Sequence, residues 1–397
     1  MIFMQTFNFP TKNKKTILAL GAESAGNFSV HFPISPLSKR RVDEETVYFS
    51  PDFGDLLDED NFNNFKESVL SFLKKEKIKP DIILTDLHPL MRTTLWGQKL
   101  AKKFRAQHIQ IQHHRAHIFS AIGDNLIKNL KYPKTVDCEP GTIYGIAMDG
   151  TGHGANERIW GGEVFRLRTV DRELRTIRIG HLENQILLGG ELAIREPARM
   201  LISILDKFLN KKDVYNFVKK YYSKNEFEIL YNQLKQNFNC LETSSTGRIL
   251  DAVSLLFGFC SNQRKYKHEA IDLLEKNSTK PYTIPKPKIK KISTNYYELQ
   301  TTNLFKYLIK NLHKDKKRLG TTAQLYLAQG LYEIIKKNYE LQTKDCPLPA
   351  VFAAGGVTNN KIISKYLTSK NIYLNNNIPR GDAGLSFGQL IWFLLKK

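Results

Sequence analysis

Gly141-Thr142-Ile143-Tyr144-Gly145-Ile146-Ala147-Met148-Asp149-Gly150-Thr151-Gly152-His153-Gly154 is where the chain changes character. An apolar run with β-branched and aromatic side chains ends in a carboxylate and then a glycine-rich turn, which reads as a buried strand and a tight connection. Two further strand-like segments, residues 158–167 and 173–182, follow without an intervening helix. Three consecutive strands predict that a second lobe starts at residue 141.

Upstream, the pattern alternates. Residues 16–20 form a short apolar run closed by Gly21-Ala22-Glu23, and Phe62, Phe65, Val69, Phe72 and Leu73 recur at helical spacing. Residues 81–85 then read as a strand, 92–104 as a helix and 108–112 as a strand, an α/β alternation. Downstream, helices fill the region between Pro197 and Leu274, and a Pro/Lys-rich linker lies near 278–293. Helices at 302–313 and 320–341 precede a return to alternation: strand 350–354, Gly355-Gly356, helix 359–368, strand 371–374 and a final helix at 385–395. The expected organisation is a polar tail at 1–15, a first lobe at 16–140 and a second at 141–397. No solenoid-type repeat is visible.

The 397 residues are 41% hydrophobic, enough for a sizeable core. Sixty Lys and Arg against 39 Asp and Glu give +21, which favours an anionic partner. The lysines are scattered among asparagines, however, a pattern that compositional drift also produces, so charge does not decide function. Cys138, Cys240, Cys260 and Cys346 lie far apart without zinc-ligand spacing, and the first residues lack the apolar core of a secretory signal. A cytoplasmic protein with reduced thiols is expected. The apolar stretch at 385–395 is broken by Ser386, Gly388 and Gln389 and is too short to cross a bilayer.

His113 and His117 stand four apart where a strand meets a helix, so both imidazoles share one helix face and can reach one ion. Such a pair alone is more often incidental and needs acidic companions. Asp149 and Asp382 qualify, each flanked by glycines that let backbone and ligand approach; an Asx-turn or helix N-cap is the plainer reading of either alone. Two imidazoles with two carboxylates suit iron or zinc. Gly150-Thr151-Gly152 and Gly355-Gly356 follow apolar strands and offer backbone amides to a phosphate, or serve only as turns.

In chain order the sequence carries Asp86-Leu87-His88-Pro89, Gln112-His113-His114-Arg115-Ala116-His117, Gly145 through Gly152 with Ile159-Trp160-Gly161-Gly162-Glu163, Arg195-Glu196-Pro197-Ala198-Arg199-Met200, Ser245-Thr246-Gly247-Arg248 with Asp251-Ala252-Val253, Gly355-Gly356-Val357 with Asn360, and Gly381-Asp382-Ala383-Gly384 with Gly388-Gln389. This series resembles the C-terminal carbamoyltransferase region of the HypF hydrogenase-maturation proteins along nearly the whole chain. The resemblance implies an α/β, actin-like (sugar kinase/heat-shock protein) two-lobed fold with a nucleotide and a metal in the cleft. It implies a metal-dependent transferase that takes a carbamoyl group from carbamoyl-adenylate to the C-terminal cysteine of a HypE-type acceptor protein, in nickel–iron hydrogenase maturation.

Carried over by motif, His113, His117, Asp149 and Asp382 are the expected ligands of one divalent iron or zinc ion. Gly150, Thr151, Gly152, Gly355, Gly356 and Asn360 are expected on the nucleotide, with Asp251 on its ribose or base side and Glu269 beside it. His88 and His114 are candidate bases, each with packing as the plainer alternative, and Arg195 is a further catalytic candidate. A full-length HypF carries acylphosphatase-like, zinc-finger and adenylate-forming parts ahead of this region, so a separate carbamoyl-adenylate-forming protein is the expected donor source. Tyr266-Lys267-His268-Glu269 stands where the family has Tyr-Glu-Gly-Gln, Ala22 replaces a usual glycine and Arg115 a histidine.

Three other functions share the architecture. O-carbamoylation of a small molecule is disfavoured by the Asp-Leu-His-Pro and Arg-Glu-Pro-x-Arg-Met strings. Threonylcarbamoyl transfer to tRNA would suit the charge, although a nucleic acid is not the favoured partner and no membrane association is expected. A non-catalytic nucleotide-binding scaffold would fit the altered segment at 267–269.

Overall fold

The computed structural model of the chain describes residues 4–9, 11, 13–33, 45–129, 142–170, 173–340 and 348–396. The first part runs β1 (Gln5–Phe9), β2 (Ile17–Ala19), β3 (Ser29–His31), β4 (Glu45–Phe49), α1 (Glu59–Lys75), β5 (Ile82–Asp86), α2 (Arg92–Phe104), β6 (Gln107–Ile111) and α3 (His113–Asn129). Its six strands form one sheet in the order β1-β4-β3-β2-β5-β6. The strands β2, β3 and β4 are antiparallel neighbours, whereas β5 and β6 add in parallel beside β2.

The second part opens with β7 (Thr142–His153), β8 (Ile159–Val170) and β9 (Glu173–Leu182). It continues through β10 (Gln185–Leu188), α4 (Leu192–Arg195), α5 (Pro197–Leu205), α6 (Lys211–Val218), α7 (Lys224–Lys235), β11 (Cys240–Thr243), α8 (Thr246–Phe257) and α9 (Glu269–Asn277). The remainder is β12 (Ile289–Ser293), β13 (Tyr296–Leu299), α10 (Thr301–Lys310), α11 (Lys316–Glu340), β14 (Val351–Ala354), α12 (Lys361–Ser369), β15 (Tyr373–Leu374) and α13 (Leu385–Leu395). The second sheet has the main order β12-β13-β9-β8-β7-β14-β15. Its β9-β8-β7-β14-β15 core repeats the order and direction of β4-β3-β2-β5-β6: three antiparallel strands, then two parallel ones. The fold is therefore the expected α/β, two-lobed one, built on a duplicated topology that no sequence repeat betrayed.

Local chemistry explains the elements. Asp58 caps α1 by accepting the amides of Asp60 and Asn61, and Phe65, Val69 and Leu73 bury its apolar stripe. β2 and β5 are buried along their whole length because both faces of the parallel region are covered. The closing helices α3 and α13 lie against each other. Each also reaches the other part's sheet: α3 packs on β7 and β14, and α13 on β2, β3 and β5. An all-round apolar helix such as α13 is stable only when so enclosed. This exchange brings the start of α3 to the strand that carries Asp149.

Two details differ from the sequence reading. Residues 5–9, read as part of a polar tail, form β1 on the edge of the first sheet, paired antiparallel with β4 from Gln5 opposite Phe49 to Phe9 opposite Glu45. Alternate side chains can be buried on such a strand although its composition is polar. Residues 289–293, read as the end of the linker, form the edge strand β12, where a mostly exposed and lysine-containing strand is tolerated. Cys138 and Cys346 lie outside the described residues; Cys240 and Cys260 are free thiols. Among the described residues no helix is long and apolar enough to cross a membrane.

Candidate functional site

α3 begins immediately after β6, and Gln112 fixes its entry. The Gln112 Oε1 accepts the Arg115 amide at 3.0 Å, while Nε2 donates to the His153 carbonyl and to His114 Nδ1, each at 3.0 Å. The first turn of α3 is thereby tied to the end of β7. His113 and His117 emerge on one face with their Nε2 atoms 3.1 Å apart.

Asp149 arrives by a different route. The pairing of β7 with β8 is interrupted between Met148 and Gly152, so Asp149, Gly150 and Thr151 bulge out of the ladder. Gly161 makes that possible: a β-carbon there would stand 2.6 Å from the Asp149 carbonyl oxygen. Asp382 enters on the short turn before α13.

These four side chains converge. Asp149 Oδ2 lies 3.3 Å from His113 Nε2 and 3.6 Å from His117 Nε2; Asp382 Oδ1 lies 3.4 Å from both. One donor atom from each residue falls within 4.8 Å of all the others. Ligands about 2.1 Å from a shared tetrahedral ion would be about 3.4 Å apart; the four His–Asp separations and the His113–His117 separation, 3.1–3.6 Å, lie near that value, and two imidazoles with two carboxylates suit an ion of the iron or zinc type.

Surrounding groups aim these donors. His113 Nδ1–H donates to Asp86 Oδ2 at 2.7 Å, and the His88 amide occupies Asp86 Oδ1 at 2.8 Å. The Gly356 amide donates to Asp149 Oδ1 at 3.2 Å. Ser24 hydrogen-bonds to Asp382 Oδ2, with Lys267 Nζ 3.7 Å from the same oxygen. His117 Nδ1 has no partner among the described residues.

Burial opposes every charge in this cluster, yet mutual pairing wins. It would lower the His113 pKa, but Asp86, Asp149 and Asp382 hold it well above the ordinary value; His117 is raised by Asp149 and Asp382 against the same penalty. The Asp149 and Asp382 carboxyls are held well below theirs by the two imidazoles.

Beside the cluster opens a cavity of about 430 Å³. Gly150, Thr151, Gly356 and Asn360 line it, as do Asp149 and Asp382. Gly152 and Gly355 do not. Gly152 instead lets the imidazoles pack against β7, since a β-carbon there would lie 2.5 Å from His114 and 2.7 Å from His113. Gly355 takes φ +101 directly beneath Met148.

Other expected residues have different occupations. Asn360 borders the cavity but caps α12 through Oδ1, and its Nδ2 donates to Gln324. Asp251 is buried, paired with Arg248 at 3.0 Å and with Arg264, and Glu269 accepts the Lys265 amide at 2.6 Å. Neither faces the cavity.

The histidine bases fare likewise. His114 is fully buried, its Nδ1 accepts the Gln112 amide, and burial followed by the His113 charge pushes its pKa down to about 3. Its ring packs against β7 at Gly152 and does not line the cavity. His88 is half-buried, with Nδ1 accepting the Leu90 amide and its ring 5.1 Å from that of His153. Arg195 is exposed at the end of α4, and its neighbour Ile194 borders the cavity. Ser24, Arg264 and Lys267 line the site without having been given a role from sequence; Ser24 and Lys267 become meaningful only through Asp382, far along the chain.

Residues 145–389 match the family model described as carbamoyltransferase, Kae1-like domain, second subdomain, and residues 12–124 match the HypF Kae1-like domain. The probable carbamoyltransferase HypF of Methanocaldococcus jannaschii is 33% identical over 395 residues, covering 97% of this chain and 47% of that protein. A carbamoyltransferase HypF homolog of Cupriavidus necator is 29% identical over 227 residues, 57% of this chain and 54% of that one. Among solved structures, T. kodakarensis HypF superposes with a TM-score of 0.79 at 27% identity over 98% of this chain and 48% of its own. A full-length HypF in its phosphate- and nucleotide-bound form shares the fold, with a TM-score of 0.79 at 24% identity over 98% of this chain and 57% of its own. The chain thus spans about half the length of these relatives.

Proposed function

Because the chain belongs to the HypF carbamoyltransferase family, we propose that it transfers a carbamoyl group from carbamoyl-adenylate to an acceptor thiol, the C-terminal cysteine of a HypE-type protein in hydrogenase maturation. The observation that carries the reading is the convergence of His113, His117, Asp149 and Asp382 beside a cavity large enough for a nucleotide.

In the reaction the acceptor sulfur bonds to the carbamoyl carbon, the bond from that carbon to the phosphate oxygen breaks, and AMP leaves. His113, His117, Asp149 and Asp382 would hold a divalent iron or zinc ion, which when bound supplies Lewis-acid polarisation of carbonyl or phosphoryl oxygen. Asp86 accepts the Nδ1–H of His113, which leaves Nε2 as the nitrogen that would ligate the ion. Gly356 and Ser24 fix the outward oxygens of the two carboxylates. The walls contributed by Gly150, Thr151 and Gly356 shield a mixed anhydride that water would destroy. No buried histidine base is required, because a thiolate is already a competent nucleophile.

The test combines donor, metal and a HypE-type acceptor and follows AMP by chromatography. AMP release that needs both metal and acceptor is the expected result; no release with all three components present overturns the proposal. Loss of stoichiometric metal in His113→Ala supports the metal assignment independently, and full retention removes it.

A further inference from the structure

The wall of the cavity carries two arginines that the reaction as described does not use. Arg248, in the first turn of α8, and Arg264, in the loop between α8 and α9, expose only 5% and 8% of their side chains. Both pair with one oxygen: Asp251 Oδ2 lies 3.0 Å from Arg248 Nη2 and also accepts Arg264 Nη2. Two guanidiniums against one carboxylate leave a buried positive charge uncompensated within the triad, a costly arrangement unless an anion completes it.

The remaining contacts do not neutralise that charge. Arg248 Nη1 donates to the Ile194 carbonyl at 3.4 Å and Arg264 Nη1 to that of Lys267 at 2.8 Å. The Nε of each is buried with no hydrogen-bond partner among the described residues. Burial, and then the charge on Arg264, pull the Arg248 pKa down to about 10 in spite of Asp251. Asp149, a further carboxylate that acts on Arg248, belongs to the four-donor cluster.

Both arginines line the cavity with Gly150 and Thr151. Arg248 Nη2 sits 3.6 Å from where a β-carbon on Gly150 would stand, so the guanidinium and the bare backbone of that turn meet at one corner. Asp272 and Glu275 line the cavity from α9, while Asp149 and Asp382 face it from the cluster. Asp272 and Glu275 repel a phosphate on the α9 side, whereas Arg248 and Arg264 attract one at their corner; Lys267 and Arg380 are further cations on the lining.

We infer that Arg248 and Arg264, braced by Asp251, form an anion subsite that receives the phosphate of a nucleoside monophosphate. Asp251 is a positioning residue in this arrangement and not a ribose contact. A planar fork of donors matches phosphate oxygens, and two such forks at one corner fix its orientation. The inference rests on reading the cavity as a nucleotide site.

Calorimetric titration of protein purified without chelator, with AMP, adenosine and inorganic phosphate as probes, tests it. The unaltered chain should bind AMP about 10- to 100-fold more tightly than adenosine, the range expected for charge-assisted hydrogen bonds. In Arg264→Gln and Arg248→Lys the preference should fall to about threefold or less, with adenosine affinity and metal content unchanged. Phosphate binding should weaken in parallel. A preference for AMP that survives in both folded variants overturns the subsite alone; binding of neither AMP nor adenosine by the unaltered chain overturns the nucleotide reading and the subsite with it. Should both variants fail to fold, a crystal of the unaltered chain with AMP decides: phosphate against the guanidiniums upholds the subsite, phosphate elsewhere removes it.

Discussion

A carboxylate or imidazole becomes a useful ligand only when its second polar atom is held. Asp86 does this for His113 from a fully buried position, with both oxygens engaged. Asp86→Asn keeps the volume but removes the charge that makes the imidazole a strong donor; metal affinity in competition with a chelator should fall about 10- to 100-fold, while the stoichiometry at saturation is retained. An unchanged affinity would assign Asp86 to packing. Another buried imidazole makes a pH prediction. Burial lowers the His31 pKa below its usual 6.5, against hydrogen bonds that the ring makes to the backbone of Asn13 and Thr46. Below pH 6.5 the unfolded chain therefore binds a proton that the native state refuses. The stability due to neutral His31 is complete above that pH and declines as the pH falls toward the native value. Denaturant titrations should show the difference between the unaltered chain and His31→Gln shrinking from pH 7.5 to pH 5.

Among the elements, α3 has two tasks. Its first turn supplies His113 and His117, and further along it Asp124 accepts the amides of Asn376, Asn377 and Ile378 at 3.0, 2.8 and 2.7 Å, together with the Tyr373 hydroxyl at 2.7 Å. One helix thus presents both imidazoles and anchors the loop leading to Asp382. Asp124→Ala strands several half-buried donors and should cost about 2–4 kcal/mol in chemical denaturation, judged from about 1–3 kcal/mol per unsatisfied group with partial rescue by water. It should also weaken metal binding although Asp124 touches no ligand. Loss of stability with full metal affinity would show that Asp382 is positioned from α13 alone. The β7 bulge is the other element on which the site depends, because a regular ladder would leave Asp149 within the strand pairing.

For the whole molecule, the four donors come from both parts, with imidazoles on α3 and carboxylates on β7 and the turn before α13. An ion that binds only the assembled cluster stabilises the native state by mass action, about 2.7 kcal/mol at a hundredfold excess over its dissociation constant. The unaltered chain should melt at a higher temperature as zinc or ferrous ion is added, and Asp149→Asn should show a much smaller rise. Equal shifts in both would place the binding elsewhere. Much of this was legible from residue order alone: the α/β alternation, the strands after residue 141, and the His113, His117, Asp149 and Asp382 set, because periodicity and motif spacing are local properties of the chain. The occupations of Asp251 and Asn360 were not legible, since their partners Arg264 and Gln324 are brought to them by packing. Nor was Ser24, whose partner Asp382 is 358 residues away. Sequence by itself determined which chemical groups were available and which segments become strands or helices, through side-chain type and spacing. Only tertiary structure decided which groups face the cavity, because the exchange of α3 and α13 between the sheets and the bulge in β7 set directions that no local pattern records.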